Sequence, residues 1–442
     1  MTGQRLLKTD ARSEPKNGQA GILALVFFCA VVFFLLMMRD SFGHAINKYL
    51  LLLICAVPTL TFNVSNLCVF YAFLFPLYIG LPGNYITLVL FIRFGFEVIK
   101  NKFRFDLPII IMTLALTVMI VIQNLKYGFT DVYYMVGALN FLLLFFYMKL
   151  SAEKSSIEKI VVFYTLGVFS TVFIMLVTTL NYYSVSELLS SSSRFGARGM
   201  LDDKTVSTMV VSIDPNFLGM DAIAAVASSS LIVKKMDTAL KRTSLIILIV
   251  LTAVIPLLGL SRSYVIALAF WVLIYIMSQR SLKNKIIFIA AAAAVVVLSV
   301  VLFPDVYSAI LDRFSEGDVS TGNGRIDLII KYAIPWNETL STLLFGIGLY
   351  VCHTHCAPLL YLFGIGIFGV LILAALELRY IRLIKGKKRV GIKGWVPFIA
   401  TLFMSATIPA AGAISYIFPL FLTILALGIG KDEQSRYEHQ TR

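Results

Sequence analysis

Residues 20–38 read AGILALVFFCAVVFFLLMM, nineteen residues without a charge or a proline. A helix needs about 20 apolar residues to cross the hydrocarbon core of a bilayer. The run is too long for the apolar core of a signal peptide, and no small-residue cleavage site follows it. We therefore interpret it as a retained first transmembrane helix.

Similar runs recur along the 442 residues, of which 59% are hydrophobic and 14% charged. Soluble domains carry about 25% charged residues, so this composition excludes a soluble globular enzyme. We predict an all-α fold, a polytopic membrane helical bundle of about 12–14 transmembrane helices, because lipid-exposed backbone must be helical. The predicted spans are 20–38, 47–63, 66–81, 84–99, 107–125, 129–148, 157–180, 217–233, 243–260, 263–278, 285–303, 356–378, 395–409 and 411–430.

Lysine and arginine alternate between the two sides of these spans, and short basic loops remain in the cytoplasm. The basic clusters at 5–16, 100–104, 149–159, 234–242, 280–285 and 379–393 fall on one side, together with both termini. We predict cytoplasmic tails at 1–19 and 431–442 and a transmembrane domain at 20–430. The net charge of +14 then reflects orientation in the membrane and not a nucleic-acid partner.

Two connections, 181–216 and 304–355, lie on the opposite, external side and are longer than ordinary loops. Two sets of apolar residues in the second connection follow helical spacing, which predicts a large, partly helical external loop. The two sets are Tyr307, Ile310, Leu311 and Phe314, and then Ile326, Ile329, Ile330 and Ala333.

Several enzyme and transport mechanisms are disfavoured because the sequence lacks the motifs that they require. The chain has no glycine-rich phosphate loop, no CxxC framework and no GxSxG elbow. It also shows neither an internal repeat nor matching broken helices in its two halves, which makes a transporter less favoured.

Basic residues favour the cytoplasmic side of a membrane, so arginine on the external side is unexpected and requires an explanation. Arg262 lies between Ser261 and Ser263 in a tight hairpin, and no acidic residue occurs from Ala239 to Val301. Its guanidinium either binds an anionic ligand, which we favour, or extends to loop carbonyls and lipid phosphate.

Three further arginines are candidates for anion binding. Arg325 follows Gly322-Asn323-Gly324 and opens a helical stretch, where free N–H groups favour an anion such as pyrophosphate. An ion pair with a nearby acid is an equal alternative for it. Arg194 and Arg198, four residues apart in the other long loop, could clamp phosphate or be solvated.

Two of the four histidines, His353 and His355, lie in Cys352-His353-Thr354-His355-Cys356, where the long loop re-enters the membrane. A histidine there can act as a general base or can bond to the helix start. The spacing does not match familiar zinc patterns, and a Cys352–Cys356 disulfide would distort a helix. We predict no metal and no cofactor.

Four acidic residues are glycan-binding or structural candidates: Asp214, Asp221, Asp318 and Asp327. Asp214 precedes Pro215, which is typical of a helix entry, and Asp221 is a carboxylate inside a span. The other two belong to an acidic cluster in the second external loop. Arg93 and Glu97, four apart in one span, are expected to neutralise each other.

The ordered motifs resemble those of a known family. They are Asp214-Pro215-Asn216, Ser261-Arg262-Ser263, Gly324-Arg325, Leu344-Phe345-Gly346-Ile347-Gly348, His355 and Gly366-Ile367-Phe368-Gly369. The set is similar to the O-antigen polymerase and O-antigen ligase superfamily, multi-span bacterial inner-membrane glycosyltransferases. The resemblance implies that Arg262 and Arg325 hold a pyrophosphate and that His355 lies at the position of the base. The family usually has Asn after that His, where this chain has Cys356, so His353 is a second candidate.

The resemblance implies a metal-independent polymerase that acts outside the cytoplasmic membrane. It would transfer an undecaprenyl-pyrophosphate-linked glycan to a hydroxyl of another lipid-linked repeat unit. A chain-length regulator and a flippase are expected as further partners beside the bilayer. The alternatives are a ligase that uses lipid A core or another acceptor, and a non-enzymatic polysaccharide flippase or exporter.

Overall fold

The computed structural model describes residues 17–101, 106–181, 184, 215–259, 261–279, 281–302, 304, 308, 311, 325–386, 390–408 and 417–429. All regular structure in these ranges is helical, as predicted. The first eight helices are α1 Asn17–Asp40, α2 Lys48–Thr61, α3 Val64–Leu74, α4 Gly83–Asn101, α5 Leu107–Lys126, α6 Val132–Lys154, α7 Ile157–Leu180 and α8 Pro215–Ser230. The others are α9 Ala239–Val254, α10 Arg262–Met277, α11 Leu282–Leu302, α12 Arg325–Trp336, α13 Leu340–Phe345, α14 Ala357–Lys385, α15 Ile392–Ser405 and α16 Ile417–Ile429.

Each of the fourteen predicted spans overlaps one of these helices, although several bounds differ and residues 411–416 of the last span lie outside the described ranges. Seven helices in the described ranges, α1, α5, α6, α7, α8, α9 and α14, are long and apolar enough to cross a membrane. Five shorter apolar helices, α2, α3, α10, α15 and α16, accompany them. The protein is therefore an all-α, multi-pass membrane protein.

Short helices also occur in the long connection before α14. The second predicted segment is α12, and α13 follows it directly. The first predicted segment falls mainly on residues outside the described ranges. The connection is thus partly helical, as expected.

The bundle is built around α7. This helix packs against α3, α8 and α9, and its residues are buried along most of its length. Gly167 permits the close approach to α3, because a side chain there would meet the main chain of Phe73. By contrast, α2, α5 and α9 expose apolar side chains such as Leu53, Ile122 and Val250, which suit contact with lipid.

Hydrogen bonds between helices satisfy several polar groups of the bundle. Tyr147 donates to the carbonyl of Cys68 at 2.7 Å, and the hydroxyls of Thr165 and Ser229 are 2.6 Å apart. The predicted pair of Arg93 and Glu97 is present as an ion pair within α4. Buried polar groups of this kind need a partner in an apolar medium.

Candidate functional site

The starts of α8 and α10 lie side by side at the predicted external side. The hydroxyl of Ser261 donates to the side-chain oxygen of Asn216 at 2.7 Å and accepts from the backbone N–H of Tyr264 at 3.2 Å. Ser261 therefore caps α10 and joins it to the first turn of α8. Asn216 and Ser261 are 45 residues apart in the chain, and each belongs to one of the motifs of the resemblance. Their side chains meet at this junction.

Arg262 is the first residue of α10 and is half-buried. Free N–H groups and the positive end of the helix dipole occur at the same position. A guanidinium at a helix start can offer several donors to one anion, and phosphate oxygens match that fork. The position of Arg262 is compatible with the predicted anion binding.

The histidine motif forms the segment between α13 and α14, and its side chains alternate in exposure. His353 and His355 are exposed, whereas Cys352 and Thr354 are buried. The hydroxyl of Thr354 donates to the carbonyl of Cys356 at 3.1 Å and stabilises the turn into α14. Both histidines are therefore accessible to a substrate at the predicted external side.

The two cysteines of this segment are free thiols. Burial raises the pKa of the Cys352 thiol to about 12, so that the thiol is neutral at ordinary pH. In the described ranges, no three His, Cys, Asp or Glu side chains come together as a set that could hold a metal ion.

Two glycine motifs pack against each other next to the histidines. The backbone N–H of Ile347 donates to the carbonyl of Phe363 at 2.8 Å, and that of Gly348 to the carbonyl of Gly364 at 3.0 Å. Gly346 has a φ of +83°, and a side chain there would overlap the carbonyl of Gly364. The first of these motifs of the resemblance therefore packs against α14, and its Gly346 lies next to Gly366 of the second.

Helix α14 bends at Gly366, where φ is +68° and ψ is −178°. A side chain at Gly366 would overlap the carbonyl of Leu344, so the bend depends on contact with the segment before the histidines. In a straight helix, Ala357 and Glu377 would be about 30 Å apart. Both nevertheless line one cavity.

This cavity has a volume of about 190 Å³ and lies between α6, α8, α14, α15 and α16. Its wall includes Ala357 and Pro358, which directly follow the histidine motif, and Met220, one turn after Asn216 in α8. Thus α8 connects the two candidate centres: its first residues contact the arginine motif, and its second turn lines the cavity beside the histidine motif.

Three polar side chains line the otherwise apolar cavity. Glu377 projects from the second half of α14, Tyr361 from its first half, and Ser405 from the end of α15. The carboxylate of Glu377 is close enough to the hydroxyl of Tyr361 for an electrostatic interaction. Within the described ranges, Glu377 has no ion pair, since the salt bridges found there join other residues.

Asp221 is in a different position from these groups. It is buried in α8, and its carboxylate accepts a hydrogen bond of 2.7 Å from the hydroxyl of Tyr164 in α7. The contact joins two packed helices and does not open into the cavity. Between the two roles predicted for Asp221, the structure favours the structural one.

Most of the remaining predicted site residues, or their side chains, lie outside the described ranges. Arg194, Arg198, Asp214 and Asp318 lie outside the described ranges. Arg325 begins α12, as the helical pattern predicts, but its side chain also lies outside the described part. Asp327 is exposed in the first turn of α12, where an acidic side chain favours the helix dipole.

Glu377 was not selected as a candidate in the sequence analysis. A signal was present, because an acidic residue inside an apolar span is a functional candidate. The cavity that Glu377 lines is formed by five helices, and the bend at Gly366 lies within one of them; helical periodicity reveals neither feature.

In comparisons with known proteins, no family model matches the chain, and no curated protein is significantly similar to it in sequence.

Proposed function

We propose that this protein is a glycosyltransferase that polymerises undecaprenyl-pyrophosphate-linked glycans at the outer face of a bacterial cytoplasmic membrane. One observation carries the proposal. Helix α8 contacts the arginine motif through Asn216 and lines, through Met220, the cavity that begins beside His355. Helix α8 therefore contacts the arginine motif and shares a cavity with the residues that directly follow the histidine motif.

In this proposal the donor pyrophosphate binds at the start of α10. Arg262 would hold it, together with Arg325 and with Arg194 and Arg198 from the other loop. Bidentate guanidinium groups stabilise the negative charge that grows on the leaving pyrophosphate as the glycosidic bond breaks. Because this charge is absent from the bound donor and develops as the bond breaks, the arginines would stabilise the transition state more than the ground state.

The base in this proposal is His355, with His353 as the second candidate. A hydroxyl of the acceptor glycan attacks the anomeric carbon of the donor sugar, and the bond from that carbon to the pyrophosphate breaks. The histidine takes the hydroxyl proton, and undecaprenyl pyrophosphate leaves. Attack opposite the leaving group inverts the configuration of the anomeric carbon.

The cavity behind the histidine motif would hold part of the acceptor. It is smaller than the roughly 300–1,000 Å³ of drug-sized pockets, which suits a single ring or a short side group. Its carboxylate, Glu377, would repel a pyrophosphate but can accept a hydrogen bond from a neutral hydroxyl. Tyr361 adds an aromatic ring and a second hydroxyl. We therefore assign the acceptor, and not the donor, to this cavity.

The test is turnover of purified protein in nanodiscs, supplied with the lipid-linked oligosaccharide of its source cell. Arg262→Ala should lower kcat by about 100-fold, and Arg262→Lys by less, because lysine retains charge but not the fork. His355→Ala should abolish transfer. The matched control is Lys241→Ala, an exposed residue on the opposite side whose ion pair with Asp237 is local.

Retention of full turnover by Arg262→Ala would overturn the role of Arg262, and no transfer by the wild-type protein would overturn the function itself. The product distinguishes the alternatives. Polymerisation yields longer lipid-linked chains, whereas a ligase consumes donor only when lipid A core or another acceptor is added. A flippase or exporter moves the glycan without forming a bond.

A further inference from the structure

Helix α12 lies in the second long connection and is too short to cross a membrane. Its twelve residues, Arg325–Trp336, rise about 18 Å, whereas the hydrocarbon core of a bilayer is roughly 30 Å thick. One side of the helix packs on the bundle. Tyr332 is buried, and the ring of Trp336 lies 5.3 Å from that of Phe363 in α14. Helix α12 is therefore held against the first two turns of α14.

A second side of α12 is apolar and exposed. Ile326, Ile330 and Ile334 have 44%, 51% and 67% of their surface exposed. They are four residues apart, so they lie within about 80° of one another around the helix axis. Single exposed apolar residues are common on proteins, but a row of large ones on one side of a helix is typical of a contact surface.

The charged residues of α12 lie on a third side. Asp327 and Lys331 are both exposed. Measured around the helix axis, they are about 100° and 140° from Ile326, beyond the isoleucine row. A short helix with separate apolar and charged sides is typical of a helix that lies in the membrane interface. Its apolar side then contacts acyl chains, and its charged side remains in water.

The elements next to α12 extend the exposed apolar surface toward the membrane. Helix α13 contacts α12, and both its first residue, Leu340, and its last, Phe345, are exposed. The ring of Phe345 lies 5.5 Å from that of Phe368 in α14, where Phe368 and Leu371 are exposed. Helix α14 is long and apolar enough to cross a membrane, so its exposed apolar residues suit lipid.

We propose that α12 is an interfacial helix whose isoleucine row, Ile326, Ile330 and Ile334, inserts among the acyl chains of one membrane leaflet. In the orientation predicted from charge, this is the outer leaflet. The apolar side of such a helix lies at the boundary between headgroups and acyl chains. On the proposed function, the start of α12 at Arg325 would then lie near the depth of the donor pyrophosphate.

The test is fluorescence quenching of purified protein in nanodiscs that hold one copy each. Single cysteines are introduced by Ile330→Cys and by Ile334→Cys in a Cys356→Ser background, where the other four native cysteines are buried. Each is labelled with bimane. Lys331→Cys, on the charged side of α12, is the matched control. Leu371→Cys, on the exposed surface of α14, is the lipid-facing reference.

Phosphatidylcholine with a doxyl group on its acyl chain should quench the labels at positions 330 and 334 as strongly as the label at 371. Iodide in the water should quench mainly the label at 331. Stronger quenching by iodide than by doxyl lipid at both isoleucine positions would overturn the proposal, because the row would then face water. Quenching by neither would also overturn it, because protein would then cover the row. These outcomes do not depend on glycan transfer, so they are separate from the test of the proposed function.

Discussion

At the scale of single residues, the polar groups of the membrane domain have two distinct fates. Asp221 accepts a hydrogen bond from Tyr164 in a neighbouring helix, and Arg93 forms an ion pair with Glu97 in its own helix. Glu377, in contrast, faces a cavity. Among the described residues this carboxylate has no ion pair, and such a group among apolar side chains is costly, which makes Glu377 a candidate for contact with a ligand.

The contact between Tyr164 and Asp221 should contribute to stability and not to catalysis. Tyr164→Phe leaves a buried carboxyl group without its donor and should destabilise the protein by about 1–3 kcal/mol. The double change Tyr164→Phe and Asp221→Leu removes both polar groups and should recover most of the loss. Thermal melting measures the effect. Normal turnover of the double variant is expected, and its loss would instead place Asp221 in the reaction.

The raised pKa of Cys352 leads to a prediction about its reactivity. With a pKa of about 12 its thiol is protonated at pH 8, and only the thiolate reacts with maleimide. Mass spectrometry should find Cys352 unlabelled in the folded protein at pH 8 and labelled after denaturation. In the folded state its labelling rate should rise about tenfold for each pH unit between 8 and 10.

The same raised pKa also determines whether the free energy of unfolding rises or falls with pH. An unfolded thiol ionises near pH 8.5, whereas the folded one resists until about pH 12. The unfolded state therefore binds fewer protons in this window, and Cys352 should make the protein less stable as pH rises through it. Cys352→Ala should weaken this loss above pH 9. Equal labelling of native and denatured protein at pH 8 would contradict both expectations.

At the scale of single elements, α14 departs most from regular structure. A helical pattern spans Ala357–Lys385 in one piece, yet its two halves are joined through Gly366 at positive φ. The segment that packs on this bend contains Gly346, also at positive φ. These positions admit no side chain without moving a neighbouring carbonyl, so the bend is a property of two segments together.

Substitution at the bend should therefore cost both stability and activity. Gly366→Ala introduces strain and a steric overlap and should destabilise the protein by about 1–3 kcal/mol or more. The matched control is Gly95→Ala in α4, where a side chain meets open space and alanine favours the helix. Melting temperature checks the pair. A Gly366→Ala variant as stable as Gly95→Ala would mean that the bend is not constrained.

The same elements show how far local patterns predict this fold. Hydrophobic runs predicted the positions of fourteen helices. A membrane helix must match the bilayer thickness, so it requires a run of consecutive apolar residues that is visible in the sequence. The bend in α14 was not predicted. Helix periodicity is the same on both sides of Gly366, and Gly346 is twenty positions away in the chain.

At the scale of the whole molecule, the charge pattern predicts which side of the membrane the candidate residues face. The cavity that Glu377 lines borders the histidine segment. In the predicted orientation the histidine segment faces the external glycan substrates. A reversed orientation would separate the histidine segment from external glycan substrates.

Labelling of intact cells tests this orientation. In a Cys356→Ser background, His353→Cys should react with a membrane-impermeant maleimide, because position 353 is exposed and predicted to be external. Lys283→Cys, exposed at the start of α11, is the control and should react only after the cells are permeabilised. The reverse pattern would contradict the predicted topology and the outer location of the site.

Composition, hydrophobic runs and charge were sufficient to predict an all-α polytopic protein and to select Arg262, His353 and His355, because these signals lie in local sequence. The folded structure added the junction of Ser261 with Asn216, the cavity that includes Glu377, and the hydrogen bond from Tyr164 to Asp221. Each of these is a contact between helices far apart in the chain. Such contacts depend on packing and on a bend stabilised by a second segment, which no pattern within one helix contains.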